Sequence, residues 1–368
     1  MTLLAKIVAQ DVNALPPGAV IGILGGGQLG RMLSLAAARL GLKTHIYSPD
    51  LPCPASEVAH MTTQGAYEDA EKLTEFAKQC DVVTYEFENV PAATARIIGE
   101  TAPLRPNSKA LEVAQDRWVE KTFISQVVKT KVAGFSKIDS LEDLQTALAE
   151  HGTPAVLKTR RFGYDGKGQI IIRDLADAQS AWEGLGKTDL ILEAFIPFKR
   201  EVSVIAARGL NGDCCAYPLI ENVHQNHILH TSVSPAPNDS GAAQAIAIRI
   251  LEKLDYFGVM GTEFFELEDG DLIVNEIAPR VHNSGHWTQD AGCTDQFEQH
   301  IRAVAGWPLG VSPPLHSVEM TNLIGDDVSN IHALAQEKDT YIHLYGKAEA
   351  RAGRKMGHVN RILKSGDA

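Results

Sequence analysis

The stretch Gly258 to Gln289, GVMGTEFFELEDGDLIVNEIAPRVHNSGHWTQ, does most to limit what this chain can fold into. Met260 to Leu267 predicts a strand, Glu268 to Asp271 a turn, and Leu272 to Ile277 the returning strand. Asp269-Gly270 suits a two-residue hairpin loop. That loop pairs Glu268 with Asp271, and counting back in step sets Glu263 opposite Glu276. Their Cβ atoms would then lie roughly 5 Å apart. The expected face-mates, Phe265, Leu267, Leu272 and Val274, are apolar. Two carboxylates facing each other there are destabilising unless a cation lies between them. A magnesium ion, held by a few carboxylates and by substrate phosphates, meets that need. The alternative is a solvated acidic hairpin without a ligand.

The residues that follow, Arg280, His282, Asn283, Ser284, His286 and Trp287, are expected in an irregular loop between Pro279 and the segment around Gly285. A guanidinium and two imidazoles beside a metal site point to an anionic substrate, because loops at strand ends often carry binding groups. A zinc site on His282 and His286 is the weaker alternative, since no third ligand is nearby in sequence.

Length and charge bound the rest. A chain of 368 residues should hold two or three domains. The net charge of −12 argues against a general nucleic-acid binder and leaves room for a local anion pocket. The apolar runs are far short of a membrane span, and residues 1–19 lack the pattern of a signal peptide. Cys53, Cys80, Cys214, Cys215 and Cys293 show no CxxC spacing, and their odd number fits free thiols in a reducing cytoplasm.

Val20 to Gly25 predicts a buried strand, and Leu29, Met32, Leu33, Ala36 and Leu40 fall at helical spacing after it. Between them, Gly25, Gly27 and Gly30 form a GxGxxG loop, with Asp50 about twenty residues on. Such a loop at a helix N-terminus binds phosphates of many kinds, so a dinucleotide is one reading among several. Asp81 to Tyr85 predicts another strand, with Glu86 and Glu88 at its end, where ligands of open α/β sheets bind. A helix is expected from Gln115 to Gln126, a strand from Pro154 to Lys158, and then the glycine-rich hairpin RRFGYDGKGQ from Arg160 to Gln169. Its backbone amides can approach phosphate oxygens, and Lys158 and Lys167 can offset their charge. Glu193 and Glu201 bracket Phe195-Ile196-Pro197-Phe198, an apolar slot with acidic edges suited to a purine and its ribose. Tyr217 to Glu221 is expected as a strand, followed by a polar run containing His224 and His227. The basic turn RAGRKMGH, with Arg351, Arg354 and Lys355, stands out in an acidic chain as an anion site or a solvated patch.

Taken in order, these segments resemble the ATP-grasp superfamily. GILGGGQLGRM, RRFGYDGKGQ, NEIAPRVHNSGHWTQ and GRKMGH resemble, within it, the N5-carboxyaminoimidazole ribonucleotide synthase family of purine biosynthesis. The resemblance runs from about residue 20 to 360. It implies an α/β fold, with α+β character in the ATP-binding part. The expected divisions are a Rossmann-like domain at 1–112, an ATP-grasp domain at 113–305 with a lid at about 134–193, and a small β-rich domain at 306–368.

The resemblance also implies roles. Arg117, Lys158 and the loop Gly163, Tyr164, Asp165, Gly166, Lys167, Gly168 and Gln169 would hold ATP phosphates; Glu193 and the Ile196 backbone would meet adenine, Glu201 the ribose, and His224 would border the nucleotide. Glu263 and Glu276 would ligate Mg2+, with Asn275 beside them, although strict alternation points Asn275 to the other face. Gly27, Gln28, Tyr164, Asp165, Asn283, Arg351, Arg354 and Lys355 would frame 5-aminoimidazole ribonucleotide and bicarbonate, and the Gly25–Gly30 loop would face a substrate phosphate. Arg280, His282 and Lys355 would be catalytic. The relatives imply a cytoplasmic homodimer. Another ATP-grasp ligase with a different acceptor, or a Rossmann oxidoreductase using Gly25–Gly30, is the competing reading.

Overall fold

The computed structural model describes residues 14–163, 166–187 and 189–364. Val20–Leu24 is a run of apolar residues because it is the inner strand of a parallel sheet covered on both faces. The sheet order is Met61–Gln64, Lys43–Ser48, Val20–Leu24, Val82–Tyr85. The short edge strand Met61–Gln64 was not foreseen; its residues alternate between half-buried and exposed and carry little apolar signal. Helix Gln28–Arg39 packs Met32, Leu33, Ala36 and Ala37 inward.

The expected lid region forms an antiparallel sheet ordered Phe135–Ile138, Leu190–Ala194, Ala155–Thr159, Gln169–Ile172. The remaining strands make one nine-stranded sheet. It runs Leu272–Ala278, Gly258–Glu266, Arg200–Arg208, Ile220–Gln225, Ile228–Ser234, Val318–Ile324, Lys355–Ile362, Thr340–Leu344, with Cys214–Ala216 paired beside Arg200–Arg208. The strands of 306–368 therefore extend the central sheet through the Ile228–Ser234 and Val318–Ile324 pairing. Helix Ala242–Leu254 places Ala243, Ala247, Ile250, Leu251 and Leu254 at helical spacing against this sheet. Each such fully buried Leu or Ile contributes about 1.5–3 kcal/mol. Among the described residues no helix is long and apolar enough to cross a membrane.

Three local expectations need correction. The helix expected over Gln115 to Gln126 runs from Arg117 to Thr122 under an Asp116 cap, then widens into a π-helical turn over Phe123–Val128. The strand expected at Tyr217 to Glu221 is Ile220–Gln225, and the polar run after it forms a hairpin with Ile228–Ser234. Its two-residue turn, Asn226 and His227, has φ of 51° and 65°, the left-handed region that mirror-image hairpin turns require. The segment expected as an irregular loop after Arg280 is a buried 3-10 turn over Asn283–Gln289.

Candidate active site

The opening hairpin holds a compensation. Leu267 N–H donates to Asp271 O at 2.9 Å, so the loop has three residues, Glu268 to Gly270, with Gly270 at φ +84°. From there Glu266 pairs with Leu272 and Phe264 with Val274, one step off the expected register. A bulge then restores it, and Glu263 pairs with Glu276 as expected. Asn275 is the extra residue of that bulge. Bulges re-aim side chains, and both Asn275 and Glu276 line the central cleft, against the strict-alternation expectation for Asn275. The shift also corrects the expected face-mates. Phe265 stays beside Glu263 in the cleft, whereas Val274 is buried in the core with Phe264, and Leu272 packs on that core.

One short helix grips this bulge. Lys121 Nζ donates to Asn275 O at 2.8 Å, Ile277 N–H donates to Glu120 Oε1 at 2.6 Å, and Arg117 Nη1 donates to Glu276 Oε2 at 3.0 Å. Burial and the nearby Glu276 charge push the Glu120 carboxyl up to about 8. Burial and Glu276 also raise Glu263, to about 7. A Glu263 carboxyl held up by burial and by a facing Glu276 charge marks a place short of positive charge. Among the described residues no cluster of three or more His, Cys, Asp or Glu could close around an ion. Two carboxylates with the Asn275 amide beside them fit magnesium, which takes one or two protein carboxylates and completes its shell with phosphates and water.

The cleft they open into has a volume of about 610 Å3. Of the residues expected in the site, Gly27, Gln28, Arg117, Lys158, Gly163, Gly166, Lys167, Gln169, Glu201, His224, Arg280, His282, Asn283 and Lys355 line it with the hairpin groups. Tyr164 and Asp165 lie outside the described residues. Gly168, at φ +73°, packs against Thr159 at the base of the glycine loop. Arg351 is paired with Glu349 at the surface, and Arg354 lines a neighbouring pocket with Gly25, Gly26 and Gly27.

Glu193, expected against adenine, is buried and is not among the residues that line the cleft. Its side chain is 3% exposed and salt-bridges Lys158 at 3.0 Å and Lys121 at 3.2 Å. Although burial opposes it, the charges of Lys121, Lys158 and Arg117 hold the Glu193 carboxyl at about 2. Its Oε2 thus anchors the phosphate-side lysine, while Oε1 meets no hydrogen-bond partner among the described residues. Ile196, next to the slot, is half-buried. Phe198 stacks on the cleft residue Phe265 with centroids 4.7 Å apart, forming an apolar wall. Glu201 accepts from His224 Nδ1 at 2.5 Å; against the effect of burial, that contact raises the imidazole above its ordinary range.

The first glycine loop also differs from expectation. Gly27 N–H donates to Glu86 Oε1 and Gly30 N–H to Glu86 Oε2, the latter at 2.6 Å. A Cβ on Gly25 or Gly27 would come within 2.3 or 2.7 Å of the Glu86 side chain. These amides receive an internal carboxylate in place of the expected substrate phosphate, although Gly27 and Gln28 still border the cleft. Glu88 pairs with Arg280 at 2.5 Å and thereby steers that guanidinium. Burial, then Arg280 and Lys355, hold His282 down at about 3, so its ring is neutral.

Sequence reasoning missed Lys347, Lys121, Glu120 and His227. Lys347 lines the cleft, donates to Gln28 Oε1 at 2.7 Å, and is lowered to about 8 by burial and by Arg354 and Lys355. A basic residue just before the RAGRKMGH turn was its available signal. Glu120 and Lys121 looked like ordinary helix charges.

Comparison with known proteins places the chain in a family. Family models match a ribonucleotide synthetase preATP-grasp domain at residues 19–115, an ATP-grasp domain at 124–297 and a phosphoribosylaminoimidazole carboxylase C-terminal domain at 319–368. The chain is 50% identical to the N5-carboxyaminoimidazole ribonucleotide synthase of Brucella melitensis biotype 1, over 96% of this chain and 99% of the relative. It is 42% identical to the synthase of Bacillus subtilis strain 168, over 95% and 93%. A crystal structure of an N5-carboxyaminoimidazole ribonucleotide synthetase in complex with ADP superposes with a TM-score of 0.92 at 40% identity, covering 96% of this chain and 94% of the other. A synthase from Aspergillus clavatus in complex with ADP and 5-aminoimidazole ribonucleotide superposes at 0.87 with 29% identity, covering 94% of each chain. With matches of this identity along nearly its whole length, the chain belongs to the N5-carboxyaminoimidazole ribonucleotide synthase family of ATP-grasp proteins.

Proposed function

We propose that this chain is the ligase that carboxylates the exocyclic amine of 5-aminoimidazole ribonucleotide in purine biosynthesis, using ATP and bicarbonate and releasing ADP and phosphate. The observation that carries the reading is one cleft with two chemically different ends. Lys158, Arg117 and the Glu263–Glu276 pair suit phosphates and a metal, and Arg280, Lys347 and Lys355, with His282 next to Glu263, suit a second anion. Glu263, Glu276 and Asn275 would hold Mg2+, which, when bound, supplies charge neutralisation for the transferring phosphoryl group.

The chemistry follows from the substrates. Bicarbonate is a poor electrophile until phosphorylated. A bicarbonate oxygen attacks the γ-phosphorus, the bond to the β-phosphate oxygen breaks, and carboxyphosphate and ADP result. Lys158, held by the buried Glu193, and Arg117, held by Glu276, would meet the charge that spreads over the phosphoryl oxygens. The amine nitrogen then attacks the carboxyl carbon, the C–O bond to phosphate breaks, and the departing phosphate takes the amine proton. Arg280, steered by Glu88, and Lys355 would position bicarbonate and the ribonucleotide. The Gly163–Gln169 loop would cover the intermediate and exclude water. Glu193 would act through Lys158, and Glu201 with His224 would meet the ribose.

ADP release with ATP, magnesium and bicarbonate, with and without 5-aminoimidazole ribonucleotide, tests this reading. ADP formation that depends on the ribonucleotide is expected. Magnesium-dependent ATP binding without that stimulation would instead favour an ATP-grasp ligase with another acceptor. A homodimer in the cytoplasm completes the proposal; light scattering at the mass of a monomer would remove the dimer.

A further inference from the structure

A chain of hydrogen bonds runs across the floor of the cleft and ends on His282. Ser232 Oγ donates to Asn222 Oδ1 at 2.7 Å, and Asn222 Nδ2 donates to Ser203 Oγ at 2.8 Å. Ser203 Oγ donates to Ser284 Oγ at 2.8 Å, and Ser284 Oγ lies 2.9 Å from His282 Nδ1. These groups come from three adjacent strands and the turn beneath the cleft. Ser203 and Ser232 are fully buried, and Ser284 and Asn222 nearly so.

Asn222 Nδ2 can only donate, so Ser203 Oγ accepts there and its own proton is available to Ser284, whose proton is in turn available to Nδ1. A second, independent contact agrees: Ser284 N–H also points at His282 Nδ1, at 3.4 Å, and a backbone amide cannot accept. Nδ1 is therefore an acceptor. An Nδ1 that accepts from a backbone amide carries no proton, so the ring proton sits on Nε2, which lies 3.2 Å from Glu263 Oε1 at the cleft.

We propose that Ser284, Ser203 and Asn222 are positioning residues that fix His282 as its Nε2–H tautomer, so that His282 serves the reaction as a hydrogen-bond donor and not as a base. Its nitrogen facing the cleft already carries a proton, and its other nitrogen is occupied by two donors. In this structure that N–H faces Glu263; with bicarbonate or carboxyphosphate bound it would be offered to an oxygen that gains negative charge. The amine proton then leaves with phosphate. This inference rests on the proposed function, and its test separates the two.

The test compares His282→Gln with His282→Asn in the full-length enzyme. A glutamine amide can place N–H near the former Nε2, and an asparagine amide reaches only the Nδ1 position. Removing one preorganised donor to a developing oxyanion costs on the order of 100- to 1,000-fold in turnover. His282→Gln is expected within about 10-fold of wild-type kcat and His282→Asn at about that full loss, with the KM for ATP little changed in either. Equal loss in both variants would overturn the proposal. In 15N-histidine-labelled enzyme, the His282 resonance, assigned by its absence in His282→Gln, should show the one-bond N–H coupling at Nε2. Ser284→Ala, checked for folding by its thermal melt, should populate both tautomers, and a proton on Nδ1 in the wild type would refute the assignment. If the functional reading itself fails, the wild-type enzyme shows no ribonucleotide-dependent ADP release while the Nε2–H signal remains.

Discussion

Two glycine loops in this molecule look alike in sequence and do opposite things. Gly25–Gly30 sits between a buried strand and a helix, and its amides close on Glu86. Gly163–Gln169 joins two strands at the cleft rim, with Arg117 Nη2 on the Gly163 carbonyl and the exposed His227 ring against Gly166. In the first loop glycine makes room for a side chain of the protein itself. In the second it makes room for the His227 and Thr159 side chains while the loop borders the open cleft. Glycine spacing reports close approach, and what approaches is decided by the residue brought opposite it. Here that residue is Glu86, from the neighbouring strand end, for the first loop, and His227 and Thr159 for the second, which lines the cleft with Gly163, Gly166, Lys167 and Gln169.

The largest test of this contrast lies on the open side. Glu276→Gln removes one of the facing carboxylates and should lower ADP formation by roughly 100- to 1,000-fold; near-normal turnover would remove the hairpin from the metal site. Next, ATP–magnesium at about 100 times its Kd should stabilise the fold by about 2.7 kcal/mol in a thermal-shift experiment. NAD should give no shift, because Glu86 already occupies the nest. An equal shift with NAD would show that the first loop is open after all. Gly27→Ala, whose Cβ would lie 2.7 Å from the Glu86 carboxylate, should cost about 1–3 kcal/mol of stability by overpacking. Gly166→Ala adds backbone strain at φ +75° that Gly27, at φ −80°, lacks, but the exposed His227 ring it meets can swing away. It should show a raised KM for ATP beside a stability loss of about 1 kcal/mol from the backbone, and an unchanged KM would erase the distinction.

The smallest effect is on pH. Burial lowers His45 to about 4 and His300 to about 3. Both are neutral in the fold and gain protons more readily once unfolded. The stability they contribute is complete above the ordinary imidazole value of about 6.5 and fades as pH falls towards 4 and then 3. His300 bonds Thr84 Oγ1 at 2.8 Å, in the strand that carries Glu86. Melts between pH 7 and 4 should thus show acid loosening the closed loop's scaffold; a flat profile would contradict this.

Much of this was legible in the sequence, though not always for the right reason. The Glu263–Glu276 pairing was foreseen from a two-residue loop. The loop has three residues, and the bulge at Asn275 restores the pairing. No local pattern announces a bulge that Lys121 and Glu120 fix from a helix more than 150 residues away. The parallel sheet, the helix Ala242–Leu254 and the cleft-lining Arg280 and His282 were readable, because buried periodicity and reactive residues after a strand are local signals. Glu193 and Glu86 were not. Each was recognised as an acid near a site, but whether an acid meets a ligand or a lysine depends on which side chain the fold brings beneath it.

The nine-stranded sheet has one more consequence. Glu276 lies on its first strand and Lys355 at the start of its seventh. Strands spaced about 4.8 Å apart would hold these two nearly 30 Å apart in a flat sheet, yet both line one cleft. The sheet must therefore curl like a trough, and its curvature sets the gap across which an unstable intermediate has to travel. Strands that touch no substrate act as the calipers of the reaction.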